Sequence, residues 1–204
     1  EVGNKKPLIS SACPAIVRLI QVRFPELIDN IIPLESPMEI AARITKERFC
    51  SLNRVASEEV GAFFITPCAA KVTSIKNPIG IKKSAVDGAI SILEIYGHLV
   101  NEIRKPDNLY LLQEATAHGV GWANSGGECT AIGCENYLAV DGIQNVIQVL
   151  EEIENNKLND LEFFEGLACT GGCVGGPLVF ENRYVAKKKN SEIDRKVVEE
   201  KYHQ

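Results

Sequence analysis

Residues 165–177 read EGLACTGGCVGGP. Two cysteines, Cys169 and Cys173, stand in a C-x3-C spacing. Gly166, Gly171, Gly172, Gly175 and Gly176 crowd around them, out of 16 glycines in the chain. Glycine loses more backbone freedom on folding than any other residue, so this concentration needs a cause: positive-φ turns, or backbone that must approach a bulky group closely. Paired thiols in such a loop suit a metal or iron–sulfur centre with backbone N–H groups turned toward it. The competing reading is a glycine-rich turn holding two buried structural cysteines, since C-x3-C is a looser pattern than paired C-x2-C knuckles.

Working outward, Leu161 to Phe164 has strand character and delivers this loop just past its end. Tyr137 to Val140 reads as a strand, Asp141-Gly142 as a turn, and Ile143, Val146, Ile147, Leu150 and Ile153 give an amphipathic helix from Gly142 to Asn155. At the other end of the chain, Pro7 to Ser10 reads as a strand that runs into Ser11-Ala12-Cys13-Pro14. Pro14 suits the first position of a helix, where its missing N–H costs nothing, and Ile16, Leu19, Ile20 and Val22 supply the buried face. Pro25 opens a further short helix through Ile31. Ser36-Pro37-Met38-Glu39 has the capping-box pattern and predicts a helix to about Phe49, with Cys50 at its end.

Val60 to Ile65 is a continuous apolar run of strand length, as expected for a strand buried on both faces. It stops at Thr66-Pro67-Cys68, with Lys71 three residues on. Val86 to Ile90 predicts another strand. Ser91-x-x-Glu94 then caps an amphipathic helix carrying Ile92, Leu93, Ile95, Leu99 and Ile103. From Asp107 to Gly133 the periodicity is weak. Cys129 and Cys134 offer a rival C-x4-C pair with no second pair to complete it, and His118 and Trp122 carry no pattern. The polar tail, 190–204, is expected as an exposed helix. The architecture implied is α/β, with mixed or parallel sheets flanked by helices, in a single domain over 1–204.

The composition sets limits on function. The chain has 204 residues, 45% of them hydrophobic and 24% charged, with a formal net charge of −5 and no basic face, which argues against nucleic acid as a partner. The run Lys187-Lys188-Lys189 sits among acidic residues and reads as a solvated helix surface. No apolar run reaches the roughly 20 residues of a membrane span. Seven cysteines without a secretory signature suit reduced thiols or metal ligands in a cytoplasmic setting. A first residue that is Glu1 and not methionine suggests an excised part of a longer chain.

Three strand ends thus present cysteine beside proline or glycine: Cys13-Pro14, Pro67-Cys68, and Cys169 with Cys173. Four thiolates converging in one cleft would satisfy a 4Fe–4S cubane. A four-thiolate zinc site is the alternative, although structural zinc favours close pairs over ligands spread along the chain. With Cys13 at a strand-to-helix junction, its thiol lies near helix N–H dipoles, which favours thiolate ligation.

SSACP, ITPCAAK and EGLACTGGCVGG resemble the three signature segments that hold the H-cluster in iron-only hydrogenases. The intervening text is similar too: FPELIDNIIPLESPMEIAARITK after the first segment, AVDGAISILEIYGHL after the second, YLAVDGIQNVIQVLEEI before the third. The resemblance covers residues 8 to 180. It implies the iron hydrogenase large-subunit fold, lacking a lobe upstream of the first cysteine, and an oxidoreductase that interconverts or senses H2, protons and electrons. It further implies that Cys13, Cys68, Cys169 and Cys173 ligate a 4Fe–4S cluster and that Cys173 bridges to a di-iron subcluster. Cys173 and Lys71 would be the catalytic pair, Lys71 holding a cyanide on that subcluster. Thr66 and the loop glycines Gly171 and Gly172 would line the cofactor. Partners implied are a ferredoxin-like electron donor or acceptor, hydrogenase maturation proteins and a signalling module.

This chain also departs from the catalytic pattern. Ala12 stands where catalytic members carry a proton-delivering cysteine. Thr66 and Leu167 replace methionines, and Ser74 replaces a glutamate. The ending GGPLVFENRYVAK is similar to the sensory branch. The expectation is slow turnover or hydrogen sensing; the alternative is a non-catalytic 4Fe–4S binding or iron–sulfur assembly module.

Overall fold

The computed structural model describes residues 6–101 and 115–202. Strand β1 (Leu8–Ile9) is followed by helix α1 (Pro14–Arg23) and a 3-10 turn (Pro25–Asn30). Helix α2 (Pro37–Asn53), strand β2 (Phe63–Thr66), helix α3 (Ala69–Lys76), strand β3 (Gly88–Ser91) and helix α4 (Ile92–Leu99) come next. The second half holds α5 (Ala117–Gly121), α6 (Gly127–Ile132), β4 (Tyr137–Asp141), α7 (Ile143–Glu154), β5 (Phe163–Leu167) and α8 (Arg183–Tyr202). The expected α/β class with parallel sheets flanked by helices is what is found.

The strands form two sheets. β5 is the centre of a three-stranded parallel sheet, order β1-β5-β4, in which Ile9 lies opposite Phe164 and Asp141 opposite Leu167. β2 and β3 pair in parallel, Phe63 with Gly88 through Thr66 with Ser91. The central strand of the first sheet is covered on both faces, as parallel sheets require, while Tyr137 at the start of β4 is exposed. β5 is buried at every position, and its Phe164 packs with Ile9, Ile16, Ile20, Phe24, Val146 and Leu150. Ile16 and Ile20 of α1, with Leu19 at their edge, meet the apolar face of α7 over this sheet and form the core, whereas Val22, expected in the same face, is 76% exposed.

The second sheet is different. Phe63 is 66% exposed and Ile65 48%, so β2 is not a strand buried on both faces as its apolar run suggested. Among the described residues, nothing covers the face that carries Phe63 and Ile65. α2 runs on to Asn53, ending in the left-handed residue Arg54, and Cys50 therefore lies inside it. Pro37 does occupy the first turn, but Ser36 makes no side-chain cap. Glu39 instead turns inward and accepts bonds from the Ser84 hydroxyl (2.7 Å) and the Ala85 N–H (2.6 Å), which ties α2 to the segment entering β3. Ser91 does cap α4, accepting from the Glu94 N–H at 3.0 Å. Ile103, assigned to that helix, falls outside the described residues, as does the stretch 107–114. The last helix begins at Arg183, well before 190.

Candidate metal centre

The glycine loop starts later than its composition implied. Glu165, Gly166 and Leu167 complete β5, so the strand end that delivers Cys169 and Cys173 is fixed by pairing to β4 through Leu167. Beyond it the loop packs against three other segments. Gly172 has φ +90° and bridges to Asn124; a Cβ there would stand 2.6 Å from the Ser125 nitrogen. A Cβ on Gly176 would meet the Pro67 carbonyl oxygen at 2.2 Å. That contact matters because Pro67 precedes Cys68, and its carbonyl also accepts the Leu178 N–H at 3.0 Å. The loop is glycine-rich because its backbone closes directly onto the segment carrying the second cysteine.

Cys13 and Cys68 are placed alike. Each is the residue before a helix, with extended backbone, at the carboxyl side of a strand. Thr66 is fully buried, and its hydroxyl accepts the Cys68 N–H at 3.1 Å, which sets the Pro67-Cys68 turn. Lys71, one turn into α3, donates to the Ala12 carbonyl at 3.3 Å and so joins the second segment to the first.

The electrostatics show the four thiols near one another. Burial, with Cys68, Cys13 and Cys173 adding to it and Lys71 opposing, pushes the Cys169 thiol up to about 11. Cys173 is raised by burial, opposed by Lys71, with Cys13 and Cys68 again acting upward. Thiols held this way are protonated until a metal displaces the protons. Cys129 and Cys134 belong elsewhere: Cys129 is fully buried beside Glu165, and Cys134 turns to the Asn136 carbonyl and Glu162. Among the described residues, no three His, Cys, Asp or Glu side chains group closely enough to hold a single metal ion.

Beside the thiols lies a cavity of about 640 Å³, reached by Cys68, Cys173, Lys71, Ala12, Met38 and Trp122. The chain matches the family described as "Iron only hydrogenase large subunit, C-terminal domain" over residues 1–139 and 133–177. It belongs to that family. The Iron hydrogenase 1 of Clostridium pasteurianum is 23% identical over 83% of this chain and 37% of its own length. The Cytosolic Fe-S cluster assembly factor NAR1 of Saccharomyces cerevisiae is 23% identical over 72% of this chain and 32% of its own length. The chain therefore spans about a third of the length of these curated relatives. A variant of the FeFe-hydrogenase HydA1 from Chlamydomonas reinhardtii superposes with a TM-score of 0.64 at 14% identity, covering 92% of this chain and 65% of that one. At that identity the likeness establishes the fold.

The residues present fit the iron–sulfur group that the hydrogenase family implies. The donor set is four soft thiols, an ammonium stands beside them, and the loop that carries two of them leaves no room for a side chain at Gly172 or Gly176. The expectation that the loop amides face a cluster meets a qualification at two positions. The Gly171 N–H donates to the Asp141 carboxylate at 3.0 Å and the Gly172 N–H to the Cys169 carbonyl at 3.1 Å. Those two glycines contribute the loop's shape.

Sequence reasoning gave no site role to Glu165, Glu128, Asp141 or Trp122, placing Glu165 in the loop and Asp141 in a turn and finding no pattern around Trp122. Glu165 is 1% exposed and accepts the N–H groups of Gly126 (2.9 Å) and Cys129 (3.0 Å). A charged residue two positions into a strand that is otherwise FF-GL was the available signal, because a carboxylate inside a buried strand must find donors. Glu128, Asp141 and Trp122 are joined to the site only through space and left no pattern along the chain.

Proposed function

We propose that this hydrogenase-family chain holds a 4Fe–4S cluster on Cys13, Cys68, Cys169 and Cys173, with a di-iron subcluster beside Cys173 and Lys71, and that it senses hydrogen or turns it over slowly. The observation that carries this reading is the make-up of the cavity wall at position 12. Cys68, Cys173 and the ammonium of Lys71 border the cavity, with Cys13 and Cys169 close behind them, as a cluster site would need, yet the residue next to Cys13 presents only the methyl group of Ala12. Its hydroxyl neighbours are turned to other tasks. Ser11 donates to the Leu34 carbonyl at 2.9 Å, and Ser10 donates to Glu128.

Bound there, the H-cluster would supply the two-electron chemistry that joins or splits dihydrogen. Lys71 would offer N–H donors to anionic ligands, since its one long bond to Ala12 leaves two protons uncommitted by that contact. Cys173 would be the shared thiolate. Met38, Phe64, Trp122 and Leu167 would keep the cavity apolar and exclude water. A proton donor within hydrogen-bond reach is what position 12 lacks. General acid–base assistance is worth roughly 10²–10⁴-fold, so turnover should fall below that of catalytic members by a factor in that range. The spread of the four cysteines from position 13 to position 173 supports a polynuclear cluster over zinc, because structural zinc usually takes close pairs along the chain. A ferredoxin-like electron partner, maturation proteins and a signalling module complete the proposal.

The test is reconstitution followed by maturation. Serine at Cys13, Cys68, Cys169 or Cys173 should abolish or severely weaken the cluster, while serine at Cys50, Cys129 or Cys134 should not. Infrared bands of CO and CN⁻ ligands should follow maturation, and Ala12→Cys should raise the hydrogen-evolution rate without shifting those bands. A parent already as fast as catalytic hydrogenases, or an Ala12→Cys chain with no gain, would refute the sensing role.

A second reading, iron–sulfur assembly without the di-iron unit, draws support from the likeness to NAR1. A chain that takes up the cubane and never shows CO or CN⁻ bands would favour it.

A further inference from the structure

Two carboxylates are buried together where β5 meets α6. Glu165 has its charge matched by two backbone N–H donors. Glu128 is 7% exposed, and the partner found for it is the Ser10 hydroxyl at 2.5 Å. That hydroxyl also accepts the Ala12 N–H at 3.1 Å. A single side chain thus links Glu128 to the backbone of the residue before Cys13, across 118 positions of sequence. The titratable groups facing Glu128 come from three elements: Glu165 from β5, Lys71 from α3, and the neighbouring thiol of Cys129 on α6 itself, which burial keeps protonated. Burial and the Glu165 charge push the Glu128 carboxyl up to about 7, against the Ser10 bond and Lys71, which pull it down.

We infer that Glu128 is the proton acceptor that balances an electron placed on the four-thiolate centre, joined through the Ser10 hydroxyl to the backbone beside Cys13. The inference rests on the ligand set proposed above. An ionised Glu128 beside an ionised Glu165 already puts two like charges in a low-dielectric setting with one nearby cation. Adding an electron at the centre adds a third negative charge. Protonation of Glu128 removes one; its carboxylate is met by one hydroxyl, whereas that of Glu165 is met by two backbone N–H donors. The step balances as one electron from an external donor such as dithionite to the centre and one proton from water to a Glu128 carboxylate oxygen. No other bond is made or broken. Glu128 touches no reacting atom and is a charge-balancing residue.

The measurement is the reduction potential of the iron- and sulfide-reconstituted 204-residue chain across a pH series, followed by visible absorbance and electron paramagnetic resonance. One proton taken up per electron makes a tenfold change in proton concentration worth about 59 mV. The potential should therefore fall with a slope approaching that figure above about pH 7. Glu128→Gln should make it independent of pH over the same range, and Glu128→Asp should restore a slope. Ser10→Ala removes a bond that favours the charged carboxylate and should move the onset to higher pH; Glu165→Gln removes the like charge and should move it to lower pH. These two variants decide the matter should Glu128→Gln fail to fold. A chain that assembles no cluster overturns the ligand set and this inference together. A cluster with a pH-independent potential, a Glu128→Gln chain with the parent slope, or no opposed shifts in the other two variants overturns this inference alone.

Discussion

Replacing Glu128 by glutamine should stabilise the cluster-free protein at pH 8 and do nothing for it at pH 4. The ordinary value for this carboxyl is 4.5, and burial with the Glu165 charge pushes it up to about 7. An acid whose value is raised on folding binds more protons in the native than in the unfolded chain between those limits. Stability therefore falls as pH rises from about 4.5 to about 7 and is level above that. The interval is about 2.5 pH units, and at 1.36 kcal/mol each it amounts to about 3 kcal/mol of native-state cost at pH 8. Glutamine has the same shape, can still accept from Ser10, and carries no charge to desolvate. Exchanging a charged for a neutral partner weakens that bond by about 1 kcal/mol, so a net gain of about 2 kcal/mol is expected. Urea titrations of parent and variant across the pH range, under reducing conditions, would read it as a difference that opens with pH. A variant less stable than the parent at pH 8, or a difference that does not vary with pH, would refute the reasoning, because either would mean Glu128 is ionised without penalty.

Three further outcomes follow from the packing. Gly176→Ala drives a Cβ onto the Pro67 carbonyl, which is backbone and cannot step aside; a loss of about 1–3 kcal/mol in thermal unfolding is expected, with poor iron uptake, and full uptake would count against the loop's closing role. Asp87 accepts the Ala62 N–H at 2.8 Å and pairs with Lys46, which together hold its carboxyl below the usual range. Its contribution is present above about pH 4 and lost as pH falls through its lowered folded value, so Asp87→Asn should lower stability near neutrality and flatten the acid limb of the curve. Phe164→Ala opens the core between α1 and α7 and should cost about 3–5 kcal/mol; a cost below about 1 kcal/mol would mean the first sheet is not the stability centre.

What could be read from the sequence was whatever repeats or punctuates locally. Pro14 and Pro37 sit in the first turns of α1 and α2, the spacing in α7 gave its buried face, and Ser91 caps α4. Cysteines beside proline or glycine at strand ends drew attention to three segments that the fold does bring together. The errors came where tertiary partners override local pattern. The apolar run ending in Ile65 looked doubly buried because hydrophobicity reports what could be covered, and β2 lacks the layer to cover it. The capping box at Ser36 failed because Glu39 finds stronger donors in Ser84 and Ala85 than in its own first turn. Glu165 was counted into a loop because of the glycine that follows it, although pairing with β4 extends the strand to Leu167. The Ser10–Glu128 bond joins residues with no periodic relation at all.

The two sheets share the candidate ligands unequally. Cys13, Cys169 and Cys173 extend from the sheet whose core includes Ile9, Ile16 and Phe164; Cys68 extends from the pair of strands that takes no part in that core. On the proposed ligand set, neither sheet completes the site alone. The Pro67 carbonyl lies against Gly176 and accepts the Leu178 N–H, and Lys71 donates to Ala12, so these few contacts fasten the fourth ligand to the other three. A substitution that loosened them would disturb the site while leaving the core around Phe164 in place.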